Sequence, residues 1–312
     1  MRTARTLALS LAVAAGLATS AMAQEPTRIV VVTHGQAADP YWSVVKNGVD
    51  AAAKTQGITA EYLSPETFDM VRMAQMIDGA VASQPDGLVV SIPDADALGP
   101  SVKSAVAAGI PVIVIDSGGS KVSRELGALL YLGQSEYEAG VAAGERMKPT
   151  GLTKAACLNQ EVGNTSLDDR CAGFAKGLGV DVPVVNGTID PIEMKGRVLG
   201  HLRSHPDTEF LLAMGATSAE PALAAIDELG LAGKVKLATF DLSPGILEAI
   251  VAGKMEWAID AQQYLMGYVP VVMLDLMHKY KLAPIADYPT GPGFVTKAEA
   301  GSVIELAKQG IR

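Results

Sequence analysis

The sequence predicts an α/β protein built from parallel sheets with helices packed on their faces. Apolar runs such as Ile29–Val32 are rich in β-branched residues, which is typical of strands buried on both faces. A polar turn and then a helical pattern follow each run, and this order repeats along most of the chain. Because about ten strands would make an unusually wide single sheet, two halves of about five strands each fit better. We expect the division near Gly133 and Gln134.

The first 23 residues have the pattern of a secretory signal peptide. Arg2 and Arg5 precede an apolar run from Leu7 to Ala18, and residues 21–23 supply an A-x-A cleavage site. The run is shorter than the roughly 20 residues of a membrane span, although an uncleaved anchor is the alternative. We therefore expect a soluble protein that is exported.

The charge of the chain limits its partners. The formal net charge is −9, and removing residues 1–23, which hold two arginines and no acid, makes it −11. An acidic chain without a basic stripe argues against nucleic acid and anionic membranes as partners. We expect a monomer that binds a small molecule.

In the first half, the alternation begins with a strand at 29–32 and a helix at 41–54. Asp39 followed by Pro40 indicates a helix N-cap with proline at the first helical position. This cap would aim Tyr41 and Trp42 at the space above the sheet. The remaining strands of this half are predicted at 60–63, 88–92, 112–115 and 128–132, with helices at about 70–77, 95–108 and 136–147.

The second half repeats the pattern. Its strands are predicted at 154–158, 183–185, 210–213, 235–239 and 257–259, with helices at 166–177, 192–204, 219–229 and 264–280. A tail rich in proline and glycine follows. Strands that alternate with helices predict parallel pairing with right-handed crossovers.

The polar turns after the strands supply a candidate site. In open parallel sheets, ligands bind outside the carboxyl ends of the strands. Carboxylates and amides dominate these turns and cations are nearly absent, which suits the hydroxyls of a sugar or polyol. Trp42 is the candidate aromatic platform. The polar candidates are Thr33, His34, Asp39, Ser91, Asp94, Asp116, Ser117, Gln134, Asn159, Glu161, Asn164, Asp168, Thr217, Asp241, Asp260 and Gln262.

Each of the main candidates also has a structural explanation. Trp42 could pack in the core between helix and sheet, because large aromatic side chains favour burial. Asp116 and Asp241 could cap helices or brace loops. His34 has no neighbouring catalytic partner and is interpreted as a hydrogen-bonding loop histidine. The other histidines, His201, His205 and His278, are expected at the surface.

No catalytic motif occurs in the sequence. The nucleophile elbow, the P-loop and the dinucleotide fingerprint are absent, and so are the zinc-protease helix and the calcium loop. Two carboxylates across a cleft could cleave a glycoside, but such acids also bind sugar hydroxyls without chemistry. We expect neither an enzyme nor a bound metal or cofactor.

The two cysteines, Cys157 and Cys171, leave two possibilities open. Export to an oxidising compartment permits a disulfide between them. Cys157 is predicted on a strand and Cys171 on the next helix, where the Cα separation could exceed the ~7 Å limit for a bridge. Two buried free thiols are the alternative.

The mature chain resembles the periplasmic solute-binding proteins of ABC importers, specifically the ribose- and galactose-type sugar binders. The resemblance is carried by motifs whose order and spacing are specific together. They are Asp39-Pro40-Tyr41-Trp42 with Asn47-Gly48, Pro85-Asp86-Gly87-Leu88, Gly109-Ile110-Pro111-Val112 with Asp116, Gly163-Asn164-Thr165-Ser166 with Arg170-Cys171-Ala172-Gly173-Phe174, Phe240-Asp241, and Asp260-Ala261-Gln262-Gln263-Tyr264 with Gly267-Tyr268.

This resemblance implies two Rossmann-like domains of the type I periplasmic binding protein kind, joined by three hinge strands. The crossings would lie near Gly133, Ala261 and Tyr288. One lobe would then comprise residues 24–133 and 262–288, and the other residues 134–261 and 289–312. The expected function is to close on a sugar or polyol and deliver it to a membrane permease. The alternatives are a sensor that presents its closed form to a receptor, a repressor core and, last, a periplasmic enzyme.

The resemblance also implies a set of ligand positions. They are Asp39, Tyr41, Trp42, Asp116, Ser117, Gln134, Asp168, Gly215, Asp241 and Ala261 or Gln262. Family members that bind ribose have arginines where this chain has Ser117 and Asp168, and an asparagine near Gly215. Without those guanidinium groups the site would be acidic, so the ligand is expected to be another sugar, a polyol or a molecule that carries an amine.

Overall fold

The computed structural model describes residues 26–35 and 39–312. The predicted signal peptide, residues 1–23, therefore lies outside the described residues. The strands are β1 Arg28–Val32, β2 Thr59–Leu63, β3 Gly87–Ser91, β4 Val112–Ile115, β5 Leu130–Gly133, β6 Ala155–Asn159, β7 Val184–Asn186, β8 Phe210–Ala213, β9 Lys236–Phe240, β10 Ala258–Asp260, β11 Tyr288–Pro289 and β12 Gly293–Val295.

Helices occupy most of the chain between these strands. The helices are α1 Pro40–Gln56, α2 Met70–Ala82, α3 Ala95–Ala107, α4 Gly119–Glu125, α5 Glu136–Met147, α6 Thr165–Leu178, α7 Pro191–Ser204, α8 Ala216–Glu228, α9 Pro244–Val251, α10 Gln263–Tyr280 and α11 Lys297–Lys308. Among the helices of the described residues, none combines the length and the apolar character that crossing a bilayer requires.

The strands of the described residues form two sheets of six. Their orders are β11-β5-β4-β3-β1-β2 and β12-β10-β9-β8-β6-β7. All pairings are parallel except that of β10 with β12. The predicted α/β class with two parallel sheets flanked by helices is thereby confirmed. The sixth strand of each sheet comes from the proline- and glycine-rich segment, for which the sequence pattern predicted no strand.

The chain passes between the two sheets more than once. After β10, helix α10 returns to pack beside α1 and against the first sheet. Strand β11 then pairs with β5 of the first sheet, and β12 pairs with β10 of the second. The crossings near residues 133, 261 and 288 stay a prediction.

Apolar side chains cover both faces of each sheet. Every residue of β3 and of β6 is buried, as expected for central parallel strands. Two clusters of buried apolar side chains lie on the first sheet and two on the second. Helix α2 contributes Met73 to the core, with Met70 and Met76 packed at its edge.

Helices α5 and α6 approach each other closely through glycines. A Cβ atom at Gly140 of α5 would lie 2.2 Å from the carbonyl oxygen of Arg170 in α6, and one at Gly173 would lie 2.1 Å from that of Tyr137. At such distances only glycine fits. The contact fixes the start of α5 against α6, which matters below because each helix contributes a charged residue to the interior.

The two cysteines form a disulfide. Cys157 in β6 and Cys171 in α6 are joined, and their Cα atoms are 5.8 Å apart. This Cα separation is below the ~7 Å limit for a disulfide, which the sequence alone could not establish. The bridge ties helix α6 to the sheet on which it packs.

Candidate functional site

The carboxyl ends of strands from both sheets surround one cavity. The loops after β1 and β4 reach it from the first sheet, and the loops after β6, β8 and β9 reach it from the second. The cavity has a volume of about 30 Å³ in this structure. The lining residues are His34, Asp39, Tyr41, Trp42, Asp116, Gln160, Glu161, Asn164, Leu167, Arg170, Met214 and Asp241.

Direct contacts hold the two sides of the cavity together. The backbone N–H and the hydroxyl of Thr165 both donate to the carbonyl oxygen of Pro93, at 3.2 Å and 2.9 Å. Asn164 Nδ2 lies 3.3 Å from His34 Nε2, and Glu161 Oε2 lies 3.7 Å from the same nitrogen. These contacts join loops that follow strands of different sheets, so the structure represents a closed arrangement.

Asp39 caps helix α1 as the sequence predicts. Its side chain accepts a hydrogen bond of 3.0 Å from the backbone N–H of Tyr41, and Pro40 is the first helical residue. Burial raises the pKa of Asp39 to about 7. The cap hydrogen bond opposes this rise, whereas the charges of Glu161 and Asp116 add to it.

Asp116 is braced by neighbours of the first sheet. It has a left-handed backbone conformation with φ of 60°, directly after β4. Tyr41 donates its hydroxyl hydrogen bond to one carboxylate oxygen, and Ser117 donates to the other at 2.6 Å. The braced carboxylate also lines the cavity, so bracing and ligand binding are compatible at Asp116.

Asp241 occupies the corresponding position after β9. Its φ is 68°, and its Oδ1 atom has no hydrogen-bond partner among the described residues although the side chain is only 6% exposed. Burial raises its pKa well above the ordinary value; Arg170 opposes the rise, and Asp39 adds to it. A Cβ atom at Gly215 would lie 2.7 Å from Gln160 Nε2 and 3.1 Å from Asp241 Oδ2, so the glycine backbone packs closely against both side chains.

Arg170 brings a cation to the cavity from helix α6, outside the polar turns in which the sequence shows few cations. Its Nε donates to Glu136 Oε2 at 2.5 Å, its Nη2 to Glu136 Oε1 at 3.1 Å, and its Nη1 to the carbonyl oxygen of Met214 at 2.8 Å. The guanidinium carbon lies 4.5 Å from the centre of the Phe240 ring. Burial raises the pKa of Glu136, although Arg170 opposes that rise.

Asp168, a predicted ligand position, lies on the exposed side of α6 and does not line the cavity. It accepts a hydrogen bond of 3.1 Å from Asn159 Nδ2. Residues two positions apart on an α-helix point about 200° away from each other. Arg170 therefore faces inward where Asp168 faces outward. Helical periodicity alone could have indicated that Arg170 faces inward, because Arg170 shares a face of the helix with Leu167.

Several other candidates lie behind the cavity or at the crossings. Thr33 Oγ1 is 2.8 Å from the hydroxyl of Tyr62. Gln134 donates to Glu136 at 2.9 Å, and Gln262, with φ of 56°, donates to the carbonyl oxygen of Thr290 at 2.5 Å. Asn164 does line the cavity and also caps α6. Sequence reasoning missed Gln160, Leu167 and Met214 as lining residues.

The aromatic side chains pack against one another on the first side of the cavity. Trp42 is 6% exposed and belongs to the core, yet it also lines the cavity, so the two interpretations of this residue coexist. Its ring centre lies 4.6 Å from that of His34 and 5.0 Å from that of Tyr41, both edge to face. His34 Nδ1 lies 2.8 Å from Ser91 Oγ, which fits a hydrogen-bonding loop histidine.

Comparison with known proteins agrees with this architecture. Residues 29–281 match the family described as periplasmic binding protein domain. The ribose import binding protein RbsB of Escherichia coli is 27% identical over 82% of this chain and 85% of its own length. The xylose/arabinose-binding protein XylF of Sulfolobus acidocaldarius is 24% identical over 88% of this chain and 72% of its own length.

A solved structure is similar over nearly the whole chain. It is the crystal structure of a carbohydrate transporter from Acidothermus cellulolyticus in complex with myo-inositol, 33% identical to this chain. The TM-score is 0.87, and the match covers 93% of this chain and 100% of the other. Members of this family bind substrates outside the cytoplasm and are not enzymes. The chain therefore belongs to the type I periplasmic sugar-binding proteins of ABC importers.

Proposed function

We propose that the protein binds one small polyhydroxylated ring, a sugar or a cyclitol, in the cavity between the two sheets. The observation that carries this proposal is a buried set of three charged side chains at the cavity: Asp116 and Asp241 at the carboxyl ends of strands, and Arg170 on helix α6. Support also comes from the relative that was crystallised with myo-inositol and from the relatives named for ribose, xylose and arabinose.

The chemistry of the three side chains suits such a ring. Carboxylate oxygens accept hydrogen bonds from hydroxyl groups, and Asp241 Oδ1 is free to do so. A guanidinium has five N–H donors, of which Arg170 gives one each from Nε, Nη1 and Nη2 to protein acceptors. Two donors remain for a ligand. The Trp42 ring adds an apolar wall for the C–H side of the ring.

Closure of the lobes would couple binding to delivery. A ligand that contacts residues after strands of both sheets stabilises the closed state, because only that state makes both sets of contacts. We propose that the closed form docks the permease of an ABC importer. In this proposal the predicted signal peptide directs the protein to the periplasm, where it acts as a monomer with the lobe boundaries given above.

Titration calorimetry tests the proposal with myo-inositol, D-ribose, D-xylose, D-arabinose and D-allose as probes. We expect one-to-one binding of at least one probe, and loss of at least about tenfold in affinity, or about 1.4 kcal/mol, in Asp241→Asn. Asn tolerates the left-handed backbone that this position requires. The matched control is Asp168→Asn on the exposed side of α6, which should bind as the wild type does. Equal affinity in the wild type and Asp241→Asn would contradict the proposed site.

A further inference from the structure

We propose that the ligand carries a protonated amine, so that the protein prefers an amino-sugar or amino-cyclitol to its neutral parent. This inference rests on the proposed function, since it concerns the same cavity. It goes further by assigning a charge to the ligand.

The cavity carries an excess of buried negative charge. The lining carboxylates are Asp39, Asp116, Glu161 and Asp241, each less than one tenth exposed. Among the described lining residues, Arg170 is the one permanent cation, and Glu136 already pairs with it through two hydrogen bonds. Buried like charges are costly unless a cation or protons neutralise them.

An acceptor without a donor marks the place for the amine. Asp241 Oδ1 is buried, lines the cavity and has no hydrogen-bond partner among the described residues. A hydroxyl could donate to this oxygen, but an ammonium group would also offset the charge of the cluster. Tyr41 and Trp42 add aromatic rings to the wall, and such rings attract cations.

The protonation of the cluster agrees with this assignment. Burial raises the pKa of Asp241 well above its ordinary value and that of Asp39 to about 7. Arg170 lowers the pKa of Asp241, whereas the charges of Asp39, Asp116 and Glu136 raise it. The charges of Glu161 and Asp116 raise the pKa of Asp39. The raised pKa values favour the protonated carboxyl groups in the empty cavity, and an ammonium group would favour the charged form, so binding should release protons.

An inorganic cation is a poorer fit to the same charges. Within residues 26–35 and 39–312, no group of three or more histidine, cysteine, aspartate or glutamate side chains is arranged to hold a metal ion. The lining carboxylates come from both sides of the cavity, Asp39 and Asp116 beside the first sheet and Glu161 and Asp241 beside the second. A larger organic cation, whose hydroxyls and ammonium group reach different walls, matches that spread.

The test uses three pairs of a neutral parent and its free amine: D-glucose with D-glucosamine, D-galactose with D-galactosamine, and myo-inositol with an aminodeoxyinositol. The N-acetylated form of each amine completes its set. Calorimetry at pH 7 in phosphate and in Tris gives the affinity and the number of protons released. We expect the free amine of at least one set to bind about tenfold more tightly than its parent and its N-acetyl form, with proton release.

A parent or an N-acetyl form that binds at least as tightly as the amine in every set would overturn this inference and leave the proposed function standing. Absence of binding by every probe would count against the proposed function itself. In Asp241→Asn the preference for the amine should fall by about tenfold, whereas Asp168→Asn should keep it. An unchanged preference in Asp241→Asn would show that the amine does not meet this carboxylate.

Discussion

Arg170 holds the carboxylate of Glu136 through two hydrogen bonds, from Nε to Oε2 at 2.5 Å and from Nη2 to Oε1 at 3.1 Å. Both side chains are buried. The pair joins the first residue of α5 to the middle of α6, and the close approach at Gly140 and Gly173 keeps these helices in register. The guanidinium is thereby fixed at the wall of the cavity.

Removal of Glu136 should destabilise the protein strongly. Glu136→Ala leaves the Arg170 charge buried without its partner, so we expect the free energy of unfolding to fall by about 3–5 kcal/mol. Urea denaturation followed by circular dichroism measures this change. In the exposed pair of Lys46 with Asp50, Lys46→Ala should change stability by less than about 0.5 kcal/mol. A loss below about 1 kcal/mol in Glu136→Ala would show that the ion pair is not isolated from water.

Stability should depend on pH through Asp39. Its pKa is about 7 in the folded protein and about 3.9 in the unfolded chain. Between these values the folded state holds a proton that the unfolded state has released, so the free energy of unfolding falls as the pH rises. The full cost, roughly 4 kcal/mol at most, is present above pH 7.

Asp39→Asn isolates this effect, because asparagine is an equally good helix N-cap. The variant should match the wild type near pH 4 and exceed its free energy of unfolding by a few kcal/mol at pH 8. Denaturation curves across this range give the difference directly. A difference between the two proteins that does not change with pH would mean that Asp39 titrates normally.

Gly173 should not tolerate a side chain. A Cβ atom there would lie 2.1 Å from the backbone oxygen of Tyr137, so Gly173→Ala must push α5 and α6 apart. We expect a loss of about 1–3 kcal/mol in thermal or chemical unfolding. Gly196, in the middle of α7, has open space around it, and Gly196→Ala should raise stability by about 0.5–1 kcal/mol. Similar effects of the two substitutions would contradict the close helix contact.

Thr165 should contribute to closure of the lobes. Thr165→Val removes the hydroxyl that donates to Pro93 at 2.9 Å and keeps the shape of the side chain. One lost hydrogen bond of about 1 kcal/mol should weaken ligand binding by about fivefold in calorimetry. Thr55→Val removes an exposed hydroxyl at the end of α1 and should leave affinity unchanged. Wild-type affinity in Thr165→Val would mean that this contact does not favour the closed state.

Local patterns in the sequence were sufficient to predict the fold class but not every strand and helix. Buried apolar strands such as β1 and the cap at Asp39 depend on neighbouring residues, so they could be predicted. Strand β11 has two residues and helix α4 has seven, which is too short for a clear periodic pattern. Their positions depend on tertiary pairing, as with Tyr288 beside Leu132.

The site was predictable as a set of loops but not in its details. Strand ends after β1, β4 and β9 supplied His34, Asp116 and Asp241 as expected. The inward side of α6 depends on how the helix is rotated, and that rotation decides between Arg170 and Asp168. The disulfide likewise depends on the distance between strand and helix, which only the packed structure supplies.

The central claim is that the cavity between the two sheets is where the ligand binds. The most direct measurement is a crystal structure of the protein with the tightest-binding probe of the two panels. The account predicts density for one ring within hydrogen-bond distance of Asp116, Asp241 and Arg170, with the lobes closed over it. A ring bound elsewhere, for example in the surface groove beside Pro191 and Pro221, would contradict the claim.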